Sequence, residues 1–327
     1  MKIVFLTRLY WPHVGGVEKH VGEVVGELVK KHQVTVATEQ YAADLPLEET
    51  VGGARVLRIP VAGVGERDKK WHIWRWIWAH RSILNEADLI HAHDVVFWLY
   101  AYKLARPVRR IYATFHGWEG LYPLPTKNIL QRRLDAQATT GNICVGDYIA
   151  KWYGIKPSLV TYGAASPLHP RGGVAPAAHP GGEKILLFLG RLEENTGWRE
   201  CLNKYRRLKD KLGWQLVVAG DGSLRHLAPR QARLLGFVSD ARPYIAAARY
   251  VFTTGYLGIA EAFAAGKIVL SHYENPLKKD YLLGHPMAKY LIFSDNLPER
   301  LPREPQLWAS RQTWAKLAQN YHDLWAK

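Results

Sequence analysis

KIVFLTRLYWPHVGGVEKHVGEVVGELVKKHQVTVATEQ, residues 2–40, is the stretch that decides the fold. KIVFLT (2–7) is a short apolar run that reads as a buried strand ending at a turn. WPHVGG (11–16) reads as a loop. In VEKHVGEVVGELVKKH (17–32), Val17, Val21, Val24, Val25 and Leu28 recur at helical spacing. HQVTVATEQ (32–40) returns to a strand. Working outward, the alternation continues. ARVLRIP (54–60), ADLIHAHD (87–94), RRIYATFHG (109–117) and NICVGD (142–147) read as strands, the last three with polar tips. Repeated strand–helix alternation predicts an α/β fold with a parallel sheet.

The composition shifts at ASPLHPRGGVAPAAHPGG, where Pro and Gly leave little that can pack. Residues 167–183 are read as an inter-domain linker, after which the pattern restarts. KILLFLGRL (184–192), WQLVVAGDG (214–222), RLLGFV (233–238), RYVFTTGY (249–256) and IVLSHYE (268–274) read as strands. WRECLNKYRRLKDKLG (198–213) and GIAEAFAAGK (258–267) read as helices. The organisation is therefore two Rossmann-like domains, 1–166 and 184–309. A closing amphipathic helix, about 310–327, can pack back on the first.

The totals set bounds. The 327 residues suit two domains, and 48% hydrophobic with 22% charged residues excludes global disorder. The balance of 44 Lys+Arg against 29 Asp+Glu gives a net +15. Such a surface attracts polyanions: nucleic acid, anionic lipid or phosphorylated small molecules. None of the recognised nucleic-acid motifs is present, so no specific nucleic-acid partner is expected. Cys144 and Cys201 form no CxxC pair, which fits a reduced, cytoplasmic setting. IVFL at the N-terminus is too short for a signal-peptide core, and no window reads as membrane-spanning.

Chemistry is expected at the strand tips. Gly15 and Gly16 precede a helix, where glycine lets a phosphate approach helix N–H groups; the alternative is a tight turn needing positive φ. Gly190 with Arg191, Gly220 with Gly222, and GYLGIAEA repeat the device in the second half. Arg191 offers a charged fork for a diphosphate, or a surface salt bridge. Glu261 suits ribose hydroxyls, or simply a favourable first-turn charge. His116 at a strand tip suits a sugar or acid/base contact, or a structural role. His91 and His93 share one strand face, but no second ligand cluster accompanies them and no Asp-x-Asp appears, so no metal site is expected. Gly-x-Ser-x-Gly, Walker A and complete Gly-x-Gly-x-x-Gly motifs are missing from the sequence.

WPHVGGVEKHV, ADLIHAHD, FLGRLEENTGW, LVVAGDG, LLGFVSD and GYLGIAEAFAAGK stand in the order found in family 4 glycosyltransferases, and nearly the whole chain resembles them. The resemblance implies the GT-B fold, two Rossmann-like domains with parallel sheets facing across a cleft. It implies a glycosyltransferase of the hexosyltransferase class, retaining, that needs no metal or other cofactor, with a nucleotide-diphosphate sugar as donor. By the same resemblance, Gly15 and Gly16 lie against the donor phosphates and His116 contacts the transferred sugar. Arg191 stabilises the leaving diphosphate, helped by the turn of Tyr256, Leu257, Gly258 and Ile259. Glu261 holds the ribose; Gly190, Thr196 and Gly222 line the donor site. Two departures stand out: Thr196 replaces the usual Lys, and Thr253 stands where the first Glu of a Glu-x7-Glu pair is usual. They leave the donor open and allow a degenerate nucleotide-sugar-binding protein; a nucleotide-sugar epimerase, an enzyme class that shares the fold, is a further alternative.

KKWHIWRWIWAHR, residues 69–81, concentrates tryptophan and positive charge. On a helix Trp71, Trp74 and Trp78 share one stripe, and Ile73, Ile77 and Leu84 another. With the aliphatic stripe inward, the tryptophans and Lys69, Lys70, Arg75 and Arg81 suit an anionic membrane surface. Lys103, Arg106, Arg109 and Arg110 add charge to the same half. The expectation is an acceptor-side helix for a glycan or lipid-linked acceptor, peripheral on the inner face of the membrane. The alternative packs these rings internally or along the acceptor cleft.

Overall fold

In the computed structural model residues 1–107, 110–117, 120–166 and 184–326 are described. The segment read as the linker, 167–183, and Arg109 lie outside the described residues. The chain divides into two compact units: Met1–Thr161 with the chain from Leu317 onward, and Tyr162–Lys316.

The first unit opens β1 (Lys2–Thr7), α1 (Gly16–Leu28), β2 (Gln33–Gln40), β3 (Glu48–Val51), β4 (Ala54–Pro60), α2 (Glu66–Ala79) and α3 (Arg81–Glu86). It continues with β5 (Leu89–His93), α4 (Tyr100–Ala105), β6 (Ile111–Phe115), α5 (Thr126–Gln137), β7 (Gly141–Val145), α6 (Tyr148–Tyr153) and β8 (Leu159–Thr161). Its sheet runs β3-β4-β2-β1-β5-β6-β7-β8, parallel except for the β3–β4 edge pair. β5, β6 and β7 are buried at every position, because parallel strands are covered on both faces. Polar residues there, such as His91, His93 and Thr114, must therefore find partners inside the protein. In α1 the buried face is His20, Val21, Val24, Val25 and Leu28, the stripe that the sequence spacing predicts apart from half-buried Val17.

The second unit holds β9 (Ile185–Leu189), α7 (Trp198–Leu212), β10 (Gln215–Ala219), β11 (Arg233–Leu234), α8 (Arg242–Ala247), β12 (Tyr250–Phe252) and α9 (Tyr256–Ala264). β13 (Ile268–Leu270), α10 (Pro276–Leu283), β14 (Leu291–Ile292) and α11 (Arg303–Arg311) complete it. Its sheet is wholly parallel, in the order β11-β10-β9-β12-β13-β14. Phe188, Trp198, Trp214, Phe252 and Leu270 anchor its core. Finally α12 (Trp314–Trp325) starts in the second unit and, from Leu317, belongs to the first.

Each sheet starts at an inner strand, winds to one edge, returns and winds to the other. The order reverses between β1 and β5 in one sheet and between β9 and β12 in the other. Open α/β sheets bind ligands outside the carboxyl ends of strands at such a reversal. The candidate residues follow these strands: Gly15 and Gly16 after β1, Gly190 and Arg191 after β9, and Tyr256–Ile259 after β12. Among the described residues no helix is long and apolar enough to cross a membrane.

Candidate functional site

In the second unit the tips of β9 and β10 turn on glycine. A Cβ on Gly220 would sit 1.8 Å from the Gly190 carbonyl oxygen, and φ there is +149°, so the two backbones can only meet as glycine. Gly190 N–H donates to Ala219 O, and Gly222 N–H to the Asp221 carboxylate. Arg191 follows directly. Its side chain is exposed and, among the described residues, makes no ion pair, so the structure does not support the salt-bridge alternative. Glu193 stays below the usual carboxylate range chiefly because Ser223 donates both Oγ–H and N–H to it, with Arg191 adding a weaker pull.

Thr196 differs from its expected place as a donor contact. Its hydroxyl donates to Glu193 O at 2.7 Å, and its own carbonyl accepts from the Thr254 hydroxyl. A short polar side chain just ahead of a helix folds onto nearby backbone rather than reaching outward. Thr253 is buried against Gly258, whose missing Cβ leaves room for its hydroxyl.

The turn over Tyr256–Ile259 needs correction too. These residues already form the first turn of α9, with Gly255 as its extended N-cap. The Tyr256 N–H donates to the Tyr281 hydroxyl at 2.8 Å, and the Ile259 N–H to Gly255 O. Tyr256 itself is buried, stacked on Tyr281 with ring centroids 3.9 Å apart. Leu257 and Gly258 carry the remaining first-turn N–H groups, which an α-helix leaves without internal partners. Glu261 is buried in the second turn of α9, so the reading of a first-turn charge does not apply.

In the first unit a buried chain of polar groups joins α1, β5, β6 and α12. Trp325 Nε1–H donates to His91 Nδ1 at 3.1 Å. A neutral His91 then carries its proton on Nε2 and donates to Thr114 Oγ1 at 2.8 Å. Tyr321 Oη joins Thr114 at 2.7 Å and His20 Nε2 at 2.9 Å. Both His91 nitrogens are thus engaged, which removes it as a metal ligand. Among the described residues no group of three or more His, Cys, Asp and Glu is arranged to hold a metal ion.

His116 ends this layer. Its Nε2 lies 2.8 Å from His93 Nδ1, and its ring meets His20 edge-on at 4.6 Å. The buried His93 Nε2 makes no hydrogen bond among the described residues. A bare lone pair is a cheaper orphan than an N–H, so His93 donates from Nδ1 and His116 carries its proton on Nδ1. Burial, with the Arg132 guanidinium second, lowers the His116 pKa to about 3. Burial and the neighbouring histidines hold His20, His91 and His93 well below the usual imidazole range. Sequence reading did not find the two residues that set the His116 turn. Asp94, at φ +58°, accepts the His116 N–H, and Arg132 of α5 pairs with Asp94 at 2.5 Å. Asp94 stood in the quoted strand tip; Arg132 left no local signal.

Gly15 has an extended φ of −168° and Gly16 faces open space, so neither is there for positive φ. Glu18 lies beside Gly15 and pairs with His13 at 3.1 Å, placing a carboxylate at the α1 N-terminus. On α2, Trp71 and Trp78 are 55% and 48% exposed, with Lys70 and Arg81 over their rings. Lys70 and Arg75 are exposed as expected. Trp74 and Lys69 depart from the outward stripe. Trp74 Nε1–H donates to Phe97 O at 3.0 Å, and the Lys69 ammonium pairs with Glu39 and Glu66. Ile73 and Ile77 are buried, but Leu84 lies on α3, because the helix breaks at His80. Arg110 stays exposed, with its guanidinium donating to the Tyr112 hydroxyl and to Trp325 O.

Residues 14–161 match the family described as Glycosyltransferase Family 4, and residues 183–283 match Glycosyl transferases group 1. A 2-deoxystreptamine N-acetyl-D-glucosaminyltransferase of Niallia circulans is 31% identical over 103 residues, 28% of this chain. The match spans only 23% of that relative's length. Sucrose-phosphate synthase from Thermosynechococcus elongatus superposes with a TM-score of 0.72 at 14% identity, covering 99% of this chain and 98% of that one. Anabaena HepE, solved with UDP and glucose, gives 0.66 at 15% identity with complete coverage of both chains. The fold is that of these GT-B proteins.

Proposed function

The chain is a family 4 glycosyltransferase, and from that premise we propose that it moves a sugar from a nucleotide-diphosphate sugar to a glycan or lipid-linked acceptor at a membrane surface. Transfer proceeds with retention of anomeric configuration and without a metal. One observation carries the donor half of this reading: Arg191, exposed and outside any ion pair among the described residues, follows β9 at the strand-order reversal. Its guanidinium takes the charge that develops on the leaving diphosphate, a contact stronger in the transition state than in the ground state. The first-turn N–H groups at Leu257 and Gly258 add to it. Gly190 and Gly222 keep the turns low beside it. Glu261 accepts from ribose hydroxyls, and Gly15 and Gly16 let backbone approach the phosphates.

His116 contacts the transferred sugar. With a pKa of about 3 it is neutral near pH 7, so it offers its Nδ1–H as a hydrogen bond and does not act as a general acid. The half-exposed rings of Trp71 and Trp78, with Lys70 and Arg75, support docking at an anionic lipid surface.

A thermal-shift panel with UDP, GDP, ADP, CMP and their sugar conjugates tests the donor. HepE was solved with UDP, so uridine nucleotides come first. A ligand at 100 times its dissociation constant stabilises the native state by about 2.7 kcal/mol. No shift with any nucleotide would refute the donor reading. With the donor known, NMR of the product and turnover in EDTA test retention and metal independence.

A further inference from the structure

The fold carries the Lys278 ammonium into the turn between β12 and α9. Asn275 caps α10 by accepting the Lys278 N–H at 2.8 Å, which fixes where the side chain starts. The side chain is buried, and its Nζ donates to Thr254 O at 2.8 Å and lies 4.2 Å from the Tyr281 ring centroid. Tyr281 in turn accepts the first N–H of α9. Thr254, whose carbonyl holds the ammonium, donates its hydroxyl to Thr196 O. One layer of contacts therefore links Lys278, Thr254 and Thr196.

The electrostatics of this arrangement are unusual. Burial discourages the charged form of Lys278, Glu274 favours it, and the Arg191 guanidinium discourages it further. The positive end of α9 lies at the same turn. A buried ammonium, a guanidinium and a helix N-terminus drawn together repel one another, and a doubly charged anion relieves all three at once.

We propose that Lys278 is a second cation of the donor site, contacting the diphosphate together with Arg191 and supplying from α10 the charge that Thr196 lacks. This rests on the donor reading given above. Lys278 acts without proton transfer: its ammonium stays protonated and balances charge as the bond between the sugar and the diphosphate oxygen breaks.

Titration calorimetry of the full chain with UDP, GDP and ADP tests it, using K278Q, K278M, K278R and, for reference, R191M. K278Q keeps a donor for Thr254 O and removes only the charge. Losing one charge-assisted contact weakens binding about tenfold or more. The expected result is that loss in K278Q and K278M, recovery to within a few-fold in K278R, and thermal unfolding of nucleotide-free K278Q at the wild-type temperature. Wild-type affinity in folded K278Q, with R191M weakened, overturns the role of Lys278 and leaves the donor reading intact. Equal weakening in K278Q and K278R, each with early unfolding, also overturns it, because Lys278 is then only a tether for Thr254. Absence of binding by wild type to all three nucleotides removes the donor reading, and this inference with it.

Discussion

Acid should loosen the first unit well before its carboxylates titrate. His20, His91, His93 and His116 are all held neutral in the folded chain, the last with a pKa of about 3. Unfolded, each returns to about 6.5 and takes up a proton below that pH. The sign follows: their contribution is complete above the unfolded pKa and is lost as pH falls from about 6.5 toward the folded values. At pH 5.5 each unfolded imidazole gains about 1.4 kcal/mol, against less than about 0.1 at pH 7.5. The four add, since none is charged in the native state, giving about 5 kcal/mol. That is comparable to the whole stability of many domains, which is about 5–15 kcal/mol. Urea unfolding at pH 7.5, 6.5 and 5.5, followed by tryptophan fluorescence, measures the change. A total loss under about 1 kcal/mol, less than one histidine's share, would refute the reasoning. So would an imidazole of this group titrating near 6.5 in histidine-resolved NMR.

Arg191→Ala should lower kcat/KM by about 10²–10³ through lost stabilisation of the leaving diphosphate. It should leave thermal stability unchanged, because the side chain is exposed and makes no ion pair among the described residues; a parallel fall in unfolding temperature would point to a structural role. In W71A/W78A, each half-exposed indole removed has roughly 100 Å² left to bury in an interface, on the order of 2 kcal/mol. Partitioning onto vesicles with anionic lipid should fall at least tenfold with the fold intact, and unchanged partitioning sinks membrane docking by α2. Trp74→Ala should instead cost stability, by removing a half-buried indole and its hydrogen bond to the Phe97 carbonyl, which keeps only the Tyr100 N–H.

The βαβ start of each half was legible because strand and helix periodicities are local properties of the chain. Val21, Val24, Val25 and Leu28 announced the buried face of α1, and ILLFL announced β9. The short edge strands β3, β8 and β14 carry too few residues to show a period. The tips bearing Gly190, Arg191 and His116 were readable for the same local reason. What escaped was pairing at a distance. Arg132 reaches Asp94 across 38 positions, Lys278 reaches Thr254 across 24, and Tyr321 meets Thr114 across 207. No spacing rule announces such partners. The tryptophan run was half legible: its periodicity placed Ile73 and Ile77 inward, but nothing local showed that Trp74 had an acceptor in Phe97 or that the helix would break before Leu84.

The end of α12 has a consequence for the order in which the protein is made. Tyr321 and Trp325 satisfy His20, His91 and Thr114 at the centre of the first unit, yet the ribosome reaches them only after the entire second unit. Until then the nascent first unit holds these histidines without the groups that complete them. Its sheet can assemble early, but its polar layer closes last. A fragment cut after Thr161 would be stranded at that unfinished stage, and a peptide carrying residues 314–326 is the piece that should rescue it.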